Sequence, residues 1–295
     1  MLTEVFSCKE YDDDTKNYGD CFTFWDNATF IVYDCGSVEH AMNLIDYMND
    51  NNINKIDYLV LSHDDSDHVS GVQYLLDNVN VEKICTPLIL KYIDEIYAEI
   101  KRNSPQTKIE RETVKERIIE AYSNIYNIGN GLPAGTLIDA TDGIQLTDKF
   151  KVLGPSKDLL VSVVAKGING YEGDTYYKET VSNAISVQAV VGSNNTIFLC
   201  GDASFDCVKD NLNDNYTYIQ AAHHGKLEFA KQVYKLKKSQ DKNFCFIISD
   251  NTGNQNGGSD NFEQELKQCR RKTTKEGRIS IDLDLIQQYR NWGLM

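Results

Sequence analysis

The run His63-Asp64-Asp65-Ser66-Asp67-His68 places four cation-binding side chains, His63, Asp65, Asp67 and His68, in the spacing His-x-Asp-x-Asp-His. Imidazole and carboxylate are common ligands of divalent ions, and a tight turn can aim all four at one or two cations. A solvated acidic turn is the bland alternative for any Asp-rich loop. Histidine usage argues against it. Of the five histidines (His40, His63, His68, His223 and His224), two flank this turn and two stand side by side in a second polar break. The turn is not an EF-hand loop, because no Gly or Glu follows at the required offsets.

An apolar run over 56–61, ending at Ser62, predicts a buried strand that delivers this turn. Gly71 and the spacing of Val72, Leu75, Leu76 and Val79 predict a helix that leaves it. Upstream, 21–25 and 29–33 read as strands around an Asp26-Asn27-Ala28 turn, and 38–50 as a helix capped by Ser37. From 88 to 127 the chain turns helical and charged, with Ile89, Ile93, Ile96 and Ile100 in one stripe and Val114, Ile118, Ile119, Tyr122 and Ile125 in another. Strands are expected at 144–146 and 150–153, then at 181–191, 196–200, 216–222, 244–249 and 278–283. Helices are expected at 204–212, 227–238 and 260–269, and a mobile loop at 166–179. Alternating strands and helices of this kind make an α/β layered protein. Gly129–Gly135 has no phosphate-cradling spacing.

At 295 residues the chain has ample length for a core, and no run approaches the eighteen apolar residues of a membrane span. The start of the chain lacks the basic and apolar regions of a signal peptide. None of the eight cysteines forms a Cys-x-x-Cys pair, and several sit in apolar runs. They read as core residues of a cytoplasmic protein. A net charge of −14 discourages broad, non-specific binding to nucleic acid. The charge is uneven, however: residues 226–295 hold 13 Lys+Arg against 9 Asp+Glu, whereas 1–225 hold 17 against 35.

The His-x-Asp-x-Asp-His stretch resembles the signature of the metallo-β-lactamase superfamily, usually His-x-His-x-Asp-His, with Asp65 where the second His stands. With the preceding Leu61-Ser62 it is similar to the hydrolase domain of ComEC-type DNA-uptake proteins. Other stretches extend the likeness: Gly19-Asp20, Asp34-Cys35-Gly36, Asn183 to Ser186, Gly201-Asp202 and His223-His224-Gly225. Two departures stand against it. Lys226 replaces the Ser of His-His-Gly-Ser, and the 250–258 loop lacks the His and Pro that relatives carry.

The resemblance implies a four-layer αββα metallo-β-lactamase-like sandwich, a single domain over 1–295 with 88–127 as a helical insertion. It implies two divalent metal ions held by His63, Asp65, Asp67, His68, Asp202 and one of the adjacent histidines, with His223 favoured. Asp202 would bridge the ions, Asp67 would orient a metal-bound hydroxide, and His224 would contact substrate or donate a proton. Asn183 and Lys226 would face the substrate. Asp65 adds a hard oxygen donor and Asn183 is a poor ligand, which favours Mn²⁺ and leaves Zn²⁺ or Mg²⁺ open. The implied activity is a cytoplasmic dinuclear phosphodiesterase or nuclease acting on nucleic acid or nucleotide. The alternatives are a hydrolase of a small ester, lactone or thioester, or a degenerate binding or effector subunit. A protein partner or homo-oligomer is left open, and no membrane is expected.

Overall fold

A computed structural model describes the chain except residues 14–15, 169–174, 177–178, 195, 214–215, 241, 252–256, 261, 263–265 and 286–295. The N-terminal half builds one seven-stranded sheet. Strands β1 (Leu2–Val5), β2 (Phe22–Trp25) and β3 (Phe30–Tyr33) pair antiparallel. Beyond them β4 (Lys55–Val60), β5 (Asn80–Thr86) and β6 (Leu137–Asp139) extend the sheet in parallel. Parallel neighbours need crossovers. Helix α1 (Val38–Asp50) supplies that between β3 and β4, and α2 (Ser66–Val69) with α3 (Val72–Asn78) that between β4 and β5.

Ser37 starts α1 because its Oγ accepts the His40 N–H at 3.1 Å, satisfying one of the helix's orphan donors. Ala41, Leu44, Tyr47 and Met48 then fall on one buried face. Truncating Leu44 to Ala there costs about 2–5 kcal/mol. All four residues of β3 are buried, since α1 covers one face and the second sheet the other.

Between β5 and β6 the chain forms a 3₁₀ turn (Ile89–Tyr92) and helices α4 (Ile93–Asn103), α5 (Arg111–Ala121) and α6 (Ser123–Asn130). The last runs three residues beyond the predicted helical stretch. Both predicted stripes are buried in part, and they pack on Leu160, Val163 and Val164 of α7 (Lys157–Ile168).

The second sheet begins with β7 (Ile144–Thr147) and β8 (Phe150–Gly154). A small pair, β9 (Thr175–Tyr176) and β10 (Glu179–Thr180), lies apart from it. The predicted strand over 181–191 is corrected: Val181–Ala184 is a helical turn, α8, and β11 starts only at Gln188 (Gln188–Val191). The cause is local, as Thr180 Oγ1 accepts the Asn183 N–H and caps the turn. Then follow β12 (Ile197–Leu199), α9 (Phe205–Val208), β13 (Tyr218–Gln220), α10 (Leu227–Ser239), β14 (Cys245–Ile248) and β15 (Arg270–Thr273). The order is β15-β14-β13-β12-β11-β8-β7, parallel from β12 to β15 and antiparallel from β12 to β7. Finally β16 (Ile279–Asp282) returns to the first sheet beside β1. Of the predicted helix at 260–269, residues 261 and 263–265 lie outside the described residues and 267–269 form a turn; of the predicted loop at 166–179, residues 166–168 end α7 and 169–174 and 177–178 lie outside the described residues.

The two sheets share a core in which Phe24 meets Phe150 edge-on at 5.3 Å, and the Tyr33 hydroxyl donates to the Val187 carbonyl at 2.6 Å. Separate apolar layers cover the outer faces with α1 and α3 on one side and α10 on the other. This is the four-layer α/β sandwich the sequence predicts. Its parallel strands β3, β4, β12, β13 and β14 all end toward one rim, where α/β sheets place their ligands.

Candidate metal centre

Asp67, His68, Asp202 and His224 converge at that rim. Each is buried and offers a ligand atom, and these four atoms lie within 4.8 Å of one another. His224 Nε2 is 2.9 Å from Asp67 Oδ2, and His68 Nε2 is 3.3 Å from Asp202 Oδ1. Three separate loops supply the set: the turn after β4, the Gly201-Asp202 turn after β12 and the turn after β13.

Backbone packing fixes the first of these turns. A Cβ on Gly36 would lie 1.9 Å from the Asp67 carbonyl oxygen and one on Gly19 2.1 Å from it, so only glycines let the three segments close up. The Asp20 N–H donates to that carbonyl at 3.1 Å, and Gly36 N–H to the Asp20 carbonyl at 2.9 Å. The Gly-Asp and Asp-x-Gly pairs thus carry a packing role that their turn chemistry alone does not reveal.

Behind the donors stands a ring of buried polar groups. Asp34 accepts from Ser62 N–H and Ser62 Oγ, both at 2.6 Å, and from His68 Nδ1 at 2.9 Å. His63 Nδ1 lies 2.9 Å from Ser62 Oγ. His224 Nδ1 faces the Ser249 carbonyl at 3.3 Å and Asp20 Oδ1 at 3.5 Å. In all three imidazoles Nδ1 is held from behind, which leaves Nε2 turned toward the centre. His63 Nε2 and His68 Nε2 are buried with no hydrogen-bond partner, the condition of a lone pair placed for a cation. The donor set therefore fits a divalent metal.

Gln220 was not legible as part of this ring. Its Nε2 donates to Asp20 Oδ2 at 2.5 Å, and its Oε1 accepts from Cys200 N–H at 2.7 Å and Gly201 N–H at 3.0 Å. It joins the first sheet's carboxylate to the turn that carries Asp202. A lone amide inside the apolar run before His223 was the available signal.

The remaining predicted residues lie to one side. His63 Nε2 is 3.6 Å from Asp65 Oδ2 and 4.0 Å from Asp202 Oδ2. Asn183, on α8, is buried, with Nδ2 3.2 Å from His223 Nδ1. His223 Nδ1 is 3.5 Å from Asp202 Oδ2, and its side chain is 24% exposed whereas that of His224 is fully covered. The described four-donor cluster contains His224, and His223 sits at its edge. Both residues have φ of +53°, a left-handed backbone rare for side chains other than glycine, and Gly225 follows at +90°. The Gly258 N–H holds the turn by donating to the His224 carbonyl at 2.8 Å. Lys226 is half-buried at the start of α10, its N–H donating to the Ala222 and His223 carbonyls. His40, the fifth histidine, is a core residue 3.5 Å from Cys8 Sγ, and burial pushes its pKa down to about 4.

Electrostatics at the centre call for positive charge. Burial alone would discharge His68 and His224, but Asp202 outweighs it, with Asp34 behind His68 and with Asp20 and Asp67 around His224. Both imidazoles are raised well above 6.5. Burial likewise opposes the charges of Asp67 and Asp202, yet the surrounding imidazoles hold both carboxyls below their usual range. A dication at this point would take over the role of those protons.

Fold and donor set point to one class, the metallo-hydrolases built on this four-layer sandwich. The chain belongs to the metallo-β-lactamase superfamily, whose family model matches residues 14–242. No curated protein matches it in sequence. Among solved structures it is similar to the metallo-β-lactamase fold protein YhfI from Bacillus subtilis, with a TM-score of 0.52 and 10% identity over 95% of this chain and 99% of that one. Human tRNase Z, short form, aligns at a TM-score of 0.39 and 13% identity over 96% and 99%. The DIM-1 metallo-β-lactamase aligns at 0.36 and 10% identity, and the alignment covers 68% of this chain and 65% of the DIM-1 chain.

Proposed function

We propose that the chain is a metal-dependent hydrolase of phosphodiesters, of the ComEC-type subgroup, and that it works as one domain decorated by the helices at 88–127. The observation that carries this reading is the donor set: carboxylates of Asp65, Asp67 and Asp202 match the imidazoles of His63, His68 and His224 in number. Hard oxygen donors in that proportion suit Mn²⁺ or Mg²⁺ and the phosphoryl oxygens those ions favour.

Asp67, His68, Asp202 and His224 would hold one ion, and His63, Asp65 and Asp202 a second. A pair of divalent ions supplies water activation and neutralises charge on a phosphoryl group. His224 takes the ligand role that the sequence reading gave to His223. Asp34, through His68, and Asp20, through His224, hold the imidazoles in place. His223, half-exposed beside Asn183, contacts the substrate and can pass a proton to the leaving oxygen. Lys226 adds a cation at the same rim. Nucleotides or nucleic acid are the substrate class, with a protein partner or second copy left to experiment. The eight free cysteines suit the reducing cytoplasm.

Hydrolysis of bis-p-nitrophenyl phosphate and single-stranded DNA, with Mn²⁺, Mg²⁺ or Zn²⁺ and with Asp67→Ala as control, tests the proposal. Mn²⁺-dependent turnover absent from the variant supports it. Turnover of a lactone alone, or zinc-loaded protein inert to every phosphodiester, contradicts it.

A further inference from the structure

Away from the metal centre, a pocket of about 370 Å³ opens in the seam between the helical block and the first sheet's outer layer. Leu88, Ile89, Ile118, Ile119, Tyr122 and Ile125 are among the residues that line it. Its volume falls in the roughly 300–1,000 Å³ range of small-molecule sites, and an apolar hollow of that size forfeits packing unless something fills it. One charged side chain, Lys91, reaches the lining. Its side chain is 58% exposed, and its amine lies 2.8 Å from Asp139 Oδ2. Asp139 also accepts from Leu88 N–H, Thr141 N–H and the Tyr92 hydroxyl, so it stays satisfied when Lys91 turns to a ligand.

We propose that this seam binds a small amphiphile with one carboxylate and an unbranched apolar tail, of the medium-chain fatty-acid class, and that its occupancy is felt at the metal turn. The tail fills the aliphatic hollow and the carboxylate meets Lys91 at the mouth. The link to the metal turn is short. Asp64, between His63 and Asp65, accepts the Ile125 N–H at 2.7 Å and the Asn124 N–H at 3.4 Å. Asn124 Nδ2 donates back to the Asp64 carbonyl at 2.8 Å. Ile125 thus lines the pocket and is tied to the residue between two donors, so a displaced α6 pulls on the turn. The coupling is reciprocal, as any linkage of two binding equilibria must be. It does not depend on which ester the metal centre hydrolyses.

Calorimetric titration of the full chain with sodium decanoate below its micellar concentration tests the site. One saturable site per chain is expected. Ile119→Glu should weaken decanoate at least about tenfold, by setting a charged carboxylate against the apolar tail. Lys91→Ala, on an exposed position that leaves folding intact, should weaken it several-fold while leaving decanol unchanged. Saturating decanoate should shift Mn²⁺ affinity about threefold or more in the native chain and not in Ile119→Glu. Absence of saturable binding, or equal binding by both variants, overturns the site. Mn²⁺ affinity indifferent to decanoate overturns its link to the metal turn. Because the readouts are binding constants, they stand whether or not phosphodiester turnover is found.

Discussion

On one flank of the centre Asp67, His68, Asp202 and His224 are buried within reach of one another, and Asp34, Asp20 and Gln220 brace them from behind. On the other, His63, Asp65, Asn183 and His223 stand farther apart, and two of them meet solvent: Asp65 is 38% exposed and His223 24%. The first flank is pre-formed, since its side chains have little freedom left to lose when an ion arrives. The second must gather itself around its ligand. We read this as a division of labour, a tightly held ion on the buried side and a weaker, exchangeable one where substrate enters.

The largest effect should come from the residue common to both flanks. Asp202→Ala should lower Mn²⁺ affinity by about 10³-fold or more at both sites, since one shared anion is worth several kcal/mol and each decade costs about 1.4 kcal/mol. Loss of only one ion by elemental analysis would break the comparison. Next comes the packing beneath the turn. Gly36→Ala sets a methyl against the Asp67 carbonyl, and a destabilisation of about 3 kcal/mol is expected in urea unfolding. A variant as stable as the parent would show that the glycine cradle is not what closes the turn. Asp34→Asn, which touches no ion, should weaken the buried site about 10–100-fold and spare the open one. Equal losses at both would erase the distinction between the flanks.

A pH series sharpens it further. His68 and His224 have raised folded-state pKa values, so in metal-free protein their stabilisation is complete below about pH 6.5 and is lost as pH rises through those values. The melting temperature of chelator-treated protein should therefore fall from pH 6.5 upward. Saturating Mn²⁺ should flatten that decline, since the ion replaces the protons. A metal-free protein that grows more stable over that range would contradict the electrostatic account.

The turn from His63 to His68 was legible because its chemistry is packed into six consecutive residues. Strands β3, β4 and β12 were legible from their apolar runs. Other features depend on contacts distant in sequence. Which of His223 and His224 points inward follows from two left-handed residues, held by Gly258, and adjacency in sequence says nothing of it. Asn183 was placed on a strand because Val181, Ile185 and Val187 carry a β-like composition, and the Thr180 cap overrode that preference. Helix α7 went unread for a similar reason, as Val161, Val163 and Val164 mask the helical spacing of its buried residues. The resemblance places Asp34 near the metal site, but taken alone Asp20 and Asp34 look like turn residues, and their bracing contacts follow only once the sheets are folded.

Calorimetric Mn²⁺ titration of the parent, His224→Ala and His223→Ala proteins tests the central claim most directly. The parent should show a tight and a weak ion, His224→Ala should lose the tight one, and His223→Ala should keep it with at most a tenfold change. Retention of the tight ion by His224→Ala, with its loss in His223→Ala, would contradict the account.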